Sequence, residues 1–237
     1  MPTYGVELEM IGVPRRTLAA AVRSVVGGVL TEETDAEDPT ITAWLIAADD
    51  GRVWRVEDDD SLSAAADERG EVVSPVLTEQ DMSLLQRMVD GLAATGARAD
   101  ASCGVHVHLG VADCEVEHLN RMIDLLIDLE PIVFQRMLGI ADPRKDYAKL
   151  MDPEFVRRFK ERRPRTSAEL FRLYYGDDTT ARHRDRYDDS RYRGLNLHSV
   201  TVRGTVEFRY FNGTVSAERV LEYVRLCLAI ADRAGLR

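Results

Sequence analysis

The sequence of 237 residues lacks several features that would assign it to a class at once. No apolar run approaches the roughly 20 residues of a membrane-spanning helix, and the first residues lack the basic-then-apolar pattern of a secretion signal. The three cysteines are scattered, odd in number and without a CxxC pair, which is typical of reduced thiols rather than of a disulfide framework. We therefore expect a cytoplasmic protein with no membrane partner.

The sequence also has no excess of positive charge, because 41 acidic residues outnumber 31 lysines and arginines and the formal net charge is −10. This balance argues against a surface built for nucleic-acid phosphates, so we expect no nucleic-acid partner. The hydrophobic share of 45% suits an ordinary globular core. We predict a single catalytic domain over residues 1–237 with a polar insertion at 141–193. Within it, residues 176–193 fit a lid and a surface loop equally well.

Three strand-like segments, 5–10, 104–109 and 205–210, each place two polar side chains on one face and apolar side chains on the other. The polar pairs are Glu7 with Glu9, His106 with His108, and Glu207 with Arg209. Taken singly, each pair has an ordinary explanation. The two glutamates could lie on the solvent face of an edge strand, the two histidines could be structural, and the glutamate and arginine could form a surface salt bridge. Crowded carboxylates repel one another unless cations lie among them, so the three pairs together indicate metal-assisted chemistry on an anionic substrate.

The residue types leave the metal open between two ions. Two histidines and one carboxylate would suit zinc. Several carboxylates favour magnesium, which prefers oxygen ligands and commonly takes phosphates as its remaining ligands. Glu71 supplies a further carboxylate, and Arg209 beside Glu207 would then face a transferred phosphoryl group.

The periodicity of the remaining chain predicts a mixture of strands and separate helices, which indicates an α+β fold. Further strands are predicted at 30–33, 42–47, 52–57 and 71–74, and helices at 14–26, 79–94, 115–138, 153–162, 167–174 and 216–234. Pro131 should kink or divide the third of these helices. Residues 195–202 and 205–211 are predicted to form a hairpin around Arg203-Gly204.

Six motifs in order carry a resemblance to a known family: GVELEM, WRVEDDDSL, EVVSP, CGVHVHLG, RGLNL and TVEFRYFNGT. In this order they resemble the putative amidoligase family, whose members are similar to glutamate–cysteine ligase and, more distantly, to glutamine synthetase. The resemblance implies a glutamine-synthetase-like catalytic fold, in which a curved antiparallel sheet has helices packed on its outer face. It also implies ATP-dependent joining of a carboxylate to an amine.

The resemblance also implies roles for individual residues. The ligands of Mg²⁺ would be Glu7, Glu9, Glu71, His106 and Glu207. ATP would be contacted by His106, His108, Arg193, Asn196 and Arg209. The catalytic group would comprise Arg209, Asp59 and Ser61, although the D-G-S turn common in the family is Asp59-Asp60-Ser61 here.

The sequence therefore predicts an ATP- and magnesium-dependent ligase that works through an acyl phosphate on amino acids, amines or small peptides. One alternative is a zinc-dependent metallohydrolase that uses His106, His108 and a glutamate. Others are a non-catalytic nucleotide-binding protein on the same fold and a kinase- or ATPase-like phosphoryl transfer that forms no amide.

Overall fold

The computed structural model describes residues 2–34, 42–137, 147–176, 182, 185 and 188–236. The fold is α+β, as predicted, and its strands form an eight-stranded antiparallel sheet in the order β2-β3-β4-β5-β1-β6-β8-β7. The glutamine-synthetase-like character of this sheet stays a prediction. Among the described residues, every helix is too short or too polar to cross a membrane.

The bounds of the elements agree closely with the predicted periodicity, apart from one region near residue 200. The strands are β1 Tyr4–Ile11, β2 Val29–Thr34, β3 Thr42–Ala47, β4 Val53–Glu57, β5 Arg69–Val73, β6 Gly104–Gly110, β7 Leu195–Asn196 and β8 Thr205–Asn212. The α-helices are α1 Arg15–Val26, α2 Met82–Ala93, α3 Val116–Leu129, α4 Pro153–Arg162, α5 Ser167–Tyr175, α6 His198–Arg203 and α7 Ala217–Ala234.

The chain divides into two compact units. The first unit consists of Thr3–Val107 with Asn212–Arg225. The second unit consists of Met1–Pro2, His108–Phe211 and Leu226–Arg237. The prediction of a single catalytic domain stays a prediction.

In the first unit, helices cover the apolar face of the strands. Helix α1 contacts α2 and strands β2, β3, β4 and β5. The side chains in this layer are fully or almost fully buried, and they include Leu8, Met10, Leu18, Val22, Ile46, Trp54, Val56, Val72, Leu85 and Met88. Because side chains alternate along a strand, this packing turns the polar residues of β1, β4 and β5 to the opposite face.

In the second unit, the predicted break at Pro131 is present. Helix α3 ends at Leu129 and the chain continues as a π-helix, Glu130–Met137. Proline has no N–H for the α-helical ladder, which accounts for the change at this point. The buried Glu130 carboxylate accepts hydrogen bonds from the Tyr210 hydroxyl and from the Met151 N–H at 3.1 Å, and burial raises its pKa.

The predicted hairpin near residue 200 is wrong. Strand β7 is only Leu195–Asn196, and the next residues form the short helix α6 instead of a longer strand. The Asn196 side-chain oxygen accepts a hydrogen bond from the Ser199 N–H at 3.3 Å, which satisfies a donor at the start of the helix. Gly204, with a φ of 70°, then ends the helix in the left-handed region before β8 begins.

Half of the stretch 176–193, which fits a lid and a surface loop equally well, lies outside the described residues. Of the stretch 176–193, the structure describes Gly176, Arg182, Asp185 and 188–193. Arg182 forms a two-pronged ion pair with Asp188, at 2.7 and 2.9 Å. The lid therefore stays a prediction.

The start of α2 gives a test of local stability. The Asp81 carboxylate accepts hydrogen bonds from the Thr78 N–H at 2.8 Å and the Thr78 hydroxyl at 3.0 Å, and it pairs with Arg52 at 3.0 Å. Burial opposes ionisation of Asp81, but the bonds from Arg52 and Thr78 outweigh it and lower its pKa.

We expect Asp81→Ala to lower the free energy of unfolding by about 1 kcal/mol at neutral pH. Because the folded pKa is lowered, this contribution is complete above the ordinary carboxyl pKa and disappears as the pH falls through the folded value. Urea unfolding at neutral and acidic pH measures the effect. Asp90→Ala, on the exposed side of the same helix, is the matched control. Equal losses in both variants at neutral pH would contradict the assignment.

Candidate functional site

A row of carboxylates crosses three adjacent strands of the first unit. Strand register places Glu9 of β1 opposite Glu71 of β5, and Glu71 opposite Glu57 of β4. Directly opposed residues in an antiparallel pair point to the same face, with their Cβ atoms about 5 Å apart. Glu7, two residues before Glu9, lies on this face as well. The strand pairing therefore concentrates negative charge on the face of the strands opposite the face that α1 covers.

His106 lies between two of these carboxylates. Its Nδ1 atom is 3.1 Å from a Glu7 oxygen and its Nε2 atom is 3.3 Å from a Glu9 oxygen. His106, Glu7 and Glu9 are only 1%, 7% and 4% exposed. The second Glu9 oxygen accepts a hydrogen bond from the Gly104 N–H at the start of β6. Glu9 is therefore held by the strand that also carries His106.

Ligand atoms from Glu9, Glu71 and His106 all lie within 4.8 Å of one another. Two carboxylates and an imidazole at this spacing are a suitable donor set for a divalent cation. Burial, followed by the negative charges of Glu7 and Glu9, raises the pKa of Glu71 well above its ordinary value. A bound cation would remove this repulsion, so the residues present fit the metal that the sequence predicts.

An ion network holds the turn that follows β4. The Asp58 carboxylate accepts two hydrogen bonds from the Arg69 guanidinium, at 2.9 and 3.1 Å, and one from Arg15 at 3.1 Å. Burial opposes its ionisation, but Arg69 and Arg15 together lower the pKa of Asp58. In the turn itself, Asp59 accepts a hydrogen bond from the Ser61 N–H at 2.9 Å. The negative charge of Asp59 contributes to the raised pKa of Glu71, which places the turn beside the carboxylate row.

In the second unit, Glu207 is held on both carboxylate oxygens. Its Oε1 atom accepts from Arg209 Nη1 at 2.6 Å, and its Oε2 atom accepts from Asn196 Nδ2 at 2.7 Å. Glu207 is 5% exposed and Asn196 is 3% exposed. Arg209 also donates from Nε to the Tyr147 carbonyl at 3.2 Å. These contacts fix the orientation of the Glu207 carboxylate and of the Arg209 guanidinium.

His108 also belongs to the second unit, where it is 7% exposed. Its Nδ1 atom is 3.0 Å from the Thr205 hydroxyl, and its Nε2 atom is 4.0 Å from Glu207 Oε1. The structure thus brings His108, Asn196, Glu207 and Arg209 together within this unit.

Arg193 has different partners. Its guanidinium donates to the Leu150 carbonyl at 3.0 Å and to Asp152 at 3.3 Å. Of the R-x-x-N pair predicted at 193 and 196, Asn196 donates to Glu207, whereas Arg193 donates to Leu150 and Asp152. A contact of Arg193 with ATP stays a prediction.

Sequence reasoning missed three residues of these clusters. Glu57 ends the alternating strand β4, and its two-residue spacing from the exposed Arg55 was a usable signal for the polar face. Ser199 and Thr205 extend the contacts of His108 and Asn196, as the 2.8 Å distance between their hydroxyl oxygens shows. The predicted hairpin concealed Ser199, because it placed this residue in a strand.

The fold is α+β, and its sheet carries carboxylate and imidazole groups that could hold a divalent cation. A comparison with protein-family models identifies the family, because the model described as putative amidoligase enzyme matches residues 1–231. The chain therefore belongs to the amidoligase family, and membership indicates an amide-bond-forming ligase. A search of curated proteins finds no match to this chain.

The raised pKa of Glu71 predicts a stabilising substitution. A carboxyl group whose folded pKa is raised costs stability as the pH rises from the ordinary carboxyl range through the folded value. We therefore expect Glu71→Gln to raise the melting temperature of the metal-free protein at neutral pH, and the gain to disappear in acid. Thermal melts in chelator across this pH range measure it.

Glu32→Gln, at an exposed position of β2, is the control for simple loss of a negative charge. An equal gain in this variant, or a loss of stability in Glu71→Gln at neutral pH, would contradict repulsion within the cluster.

Proposed function

We propose that the protein is an ATP- and magnesium-dependent ligase that joins a carboxylate to an amine through an acyl phosphate. The observation that carries this proposal is the convergence of ligand atoms from Glu9, Glu71 and His106 in a member of the amidoligase family. A carboxylate-rich donor set suits a hard cation. In nucleotide-dependent enzymes such a cation is bound by protein carboxylates together with phosphate oxygens of the nucleotide.

The need for ATP follows from the chemistry of carboxylates. A carboxylate is a poor acyl donor, because direct attack by an amine would have to expel oxide. In the first proposed step, the substrate carboxylate oxygen attacks the γ-phosphorus of ATP, and ADP leaves. In the second, the amine nitrogen attacks the acyl carbon, phosphate leaves and the nitrogen loses a proton. Magnesium, when bound, supplies positive charge that offsets the charge of the phosphates.

The carboxylates of the first unit hold the metal in this proposal. Glu7, Glu9 and Glu71 bring carboxylate oxygens to the cluster, and His106 brings an imidazole. Because Gly104 fixes Glu9 and strand pairing fixes Glu71, these groups are oriented before any ion binds. Such preorganisation reduces the cost of binding a small cation with strict geometric demands.

Residues of the second unit keep the roles that the resemblance implies. Glu207 is a metal ligand, and Arg209 contacts the transferred phosphoryl group. The ion pair between them holds the guanidinium in one orientation, with N–H donors in a fixed fork that suits phosphate oxygens. Asn196 holds Glu207 from its other oxygen.

Asp59 is the proposed base for the attacking amine, which must be neutral to react. Its carboxylate lies in a turn held by the Ser61 N–H, and the neighbouring Asp58 is anchored by Arg69. The turn keeps Asp59 near the carboxylate row. Its role is to accept the proton that the amine loses.

The zinc-dependent hydrolase is not favoured, because the chain belongs to a family that indicates amide formation. Phosphoryl transfer without ligation and nucleotide binding without catalysis are outcomes of the same experiment. We would incubate the protein with ATP, Mg²⁺ and pairs of amino acids, amines and small peptides, measuring ADP release and products by mass spectrometry. ADP with an equivalent amide product supports the ligase. ADP without an amide indicates kinase- or ATPase-like transfer, and nucleotide binding alone indicates a non-catalytic protein.

We expect Glu9→Gln to reduce magnesium-dependent ADP formation about 10²–10³-fold, the usual effect of removing one preorganised electrostatic contact. The amide keeps the size of the side chain but removes its charge from the metal cluster. Initial rates at saturating ATP measure the loss, and circular dichroism checks the fold. Glu32→Gln should keep its full rate. An unchanged rate in Glu9→Gln would show that Glu9 is not a ligand of the metal.

A further inference from the structure

A cavity of about 410 Å³ lies within the second unit. Its walls come from the segment before α4, from α4 itself, from the C-terminal end of α5, and from β7 with the residues that precede it. Phe155, Tyr175 and Leu195 line the cavity although they are only 3%, 5% and 1% exposed, so part of the wall belongs to the packed core. The volume lies within the range of small-molecule sites, which is about 300–1,000 Å³.

Positive charge is in excess on the walls of this cavity. The charged side chains that line it are two carboxylates and four cations: Asp152, Asp189, Lys149, Arg158, Arg182 and Arg193. Arg193 pairs with Asp152 at 3.3 Å, and Arg182 pairs with Asp188 at 2.7 Å, so these charges offset one another. Lys149, Arg158 and Asp189 remain, and they leave one net positive charge on the lining.

The two remaining cations have N–H groups to offer to a ligand. Within the described part of the chain, Lys149 forms hydrogen bonds only through its backbone atoms. Arg158 Nε lies 3.6 Å from the Glu154 carboxylate, but that carboxylate accepts two closer bonds from Arg157, at 2.7 and 2.9 Å. The ammonium of Lys149 and the Nη groups of Arg158 are therefore available as charged donors to an anion.

We propose that this cavity is a binding site for a small organic carboxylate that carries an apolar or aromatic group. Lys149 and Arg158 donate to the carboxylate, and the apolar group lies against Phe155 and Leu195. One net positive charge matches a single carboxylate, whereas a polyphosphate would bring several negative charges that the lining does not match. The proposal concerns binding alone and does not rest on the proposed ligase.

Asp189 separates two sources of such a carboxylate. It is exposed, and no ion pair joins its side chain to another residue that the structure describes. An ammonium group next to the ligand carboxylate would complement Asp189. A free amino acid has this ammonium and a simple carboxylic acid lacks it, so the two sources should respond differently to removal of the Asp189 charge.

The test is NMR of the full chain labelled with ¹³C at the lysine Cε atoms, without ATP. The sequence contains only three lysines, Lys145, Lys149 and Lys160, so each signal can be assigned by substitution. The probes are 3-phenylpropanoate, its neutral amide 3-phenylpropanamide, and L-phenylalanine, each at millimolar concentrations. We expect 3-phenylpropanoate to shift the Lys149 signal and to leave the signal of the exposed Lys160 in place. The amide should bind about tenfold more weakly, because it lacks the charge.

Substitutions test the assigned donors. Arg158→Gln removes one cation while it keeps Lys149 as the reporter, so we expect the dissociation constant of 3-phenylpropanoate to rise about tenfold. Lys160→Gln removes a positive charge from the same helix outside the cavity and is the matched control. If the ligand is an amino acid, L-phenylalanine binds more tightly than 3-phenylpropanoate and loses this advantage in Asp189→Asn. Equal binding of the two indicates a carboxylic acid without an ammonium group.

A Lys149 signal that neither carboxylate shifts would overturn the proposal, and so would an unchanged dissociation constant in a folded Arg158→Gln variant. If ATP with Mg²⁺ shifts the Lys149 signal and the carboxylates do not, the cavity holds nucleotide phosphates and the proposal is wrong. These measurements need no turnover. Carboxylate binding in a protein that forms no amide would therefore contradict the ligase and leave the cavity site standing.

Discussion

Repulsion among buried carboxylates is the constraint on which this structure depends. Glu7, Glu9 and Glu71 lie on one face of the strands of the first unit, and the His106 ring lies between Glu7 and Glu9. Burial makes the negative charge of Glu71 costly, and the charges of Glu7 and Glu9 add to that cost, so the pKa of Glu71 is raised. A fold that keeps these groups together at neutral pH is suited to binding a cation.

The packing and hydrogen bonds of the first unit hold these carboxylates together despite their mutual repulsion. Helix α1 packs against strands β2 to β5, and burial of the apolar alternate positions of the strands fixes the face to which the carboxylates point. The Gly104 N–H holds Glu9, and the pairing of Asp58 with Arg69 anchors the turn that carries Asp59. The hydrophobic packing of this unit therefore stabilises the fold that carries the charged face.

The sequence predicted those features that follow from strand periodicity. The alternation of polar and apolar residues predicted that Glu7 and Glu9 share one face of β1, and the structure has this arrangement. Alternation could not predict which strands are neighbours, so the alignment of Glu71 with both Glu9 and Glu57 required the three-dimensional register.

The error near residue 200 has a different cause. Residues 195–202 alternate enough to predict a strand, but a short helix begins at His198, and the Asn196 side-chain oxygen accepts from the Ser199 N–H in its first turn. A local side-chain hydrogen bond of this kind competes with strand pairing and leaves no trace in hydrophobic periodicity. The same helix carries Ser199 to Thr205, so the contacts behind His108 could not be predicted from the sequence.

The most direct measurement of the central claim is a crystal structure with Mn²⁺ in place of Mg²⁺ and a non-hydrolysable ATP analogue. Anomalous scattering locates the manganese without reference to the protein geometry. The account predicts a manganese ion bound by Glu9, Glu71 and His106, with a phosphate oxygen among its remaining ligands. An ordered nucleotide with no ion on these three residues would contradict it.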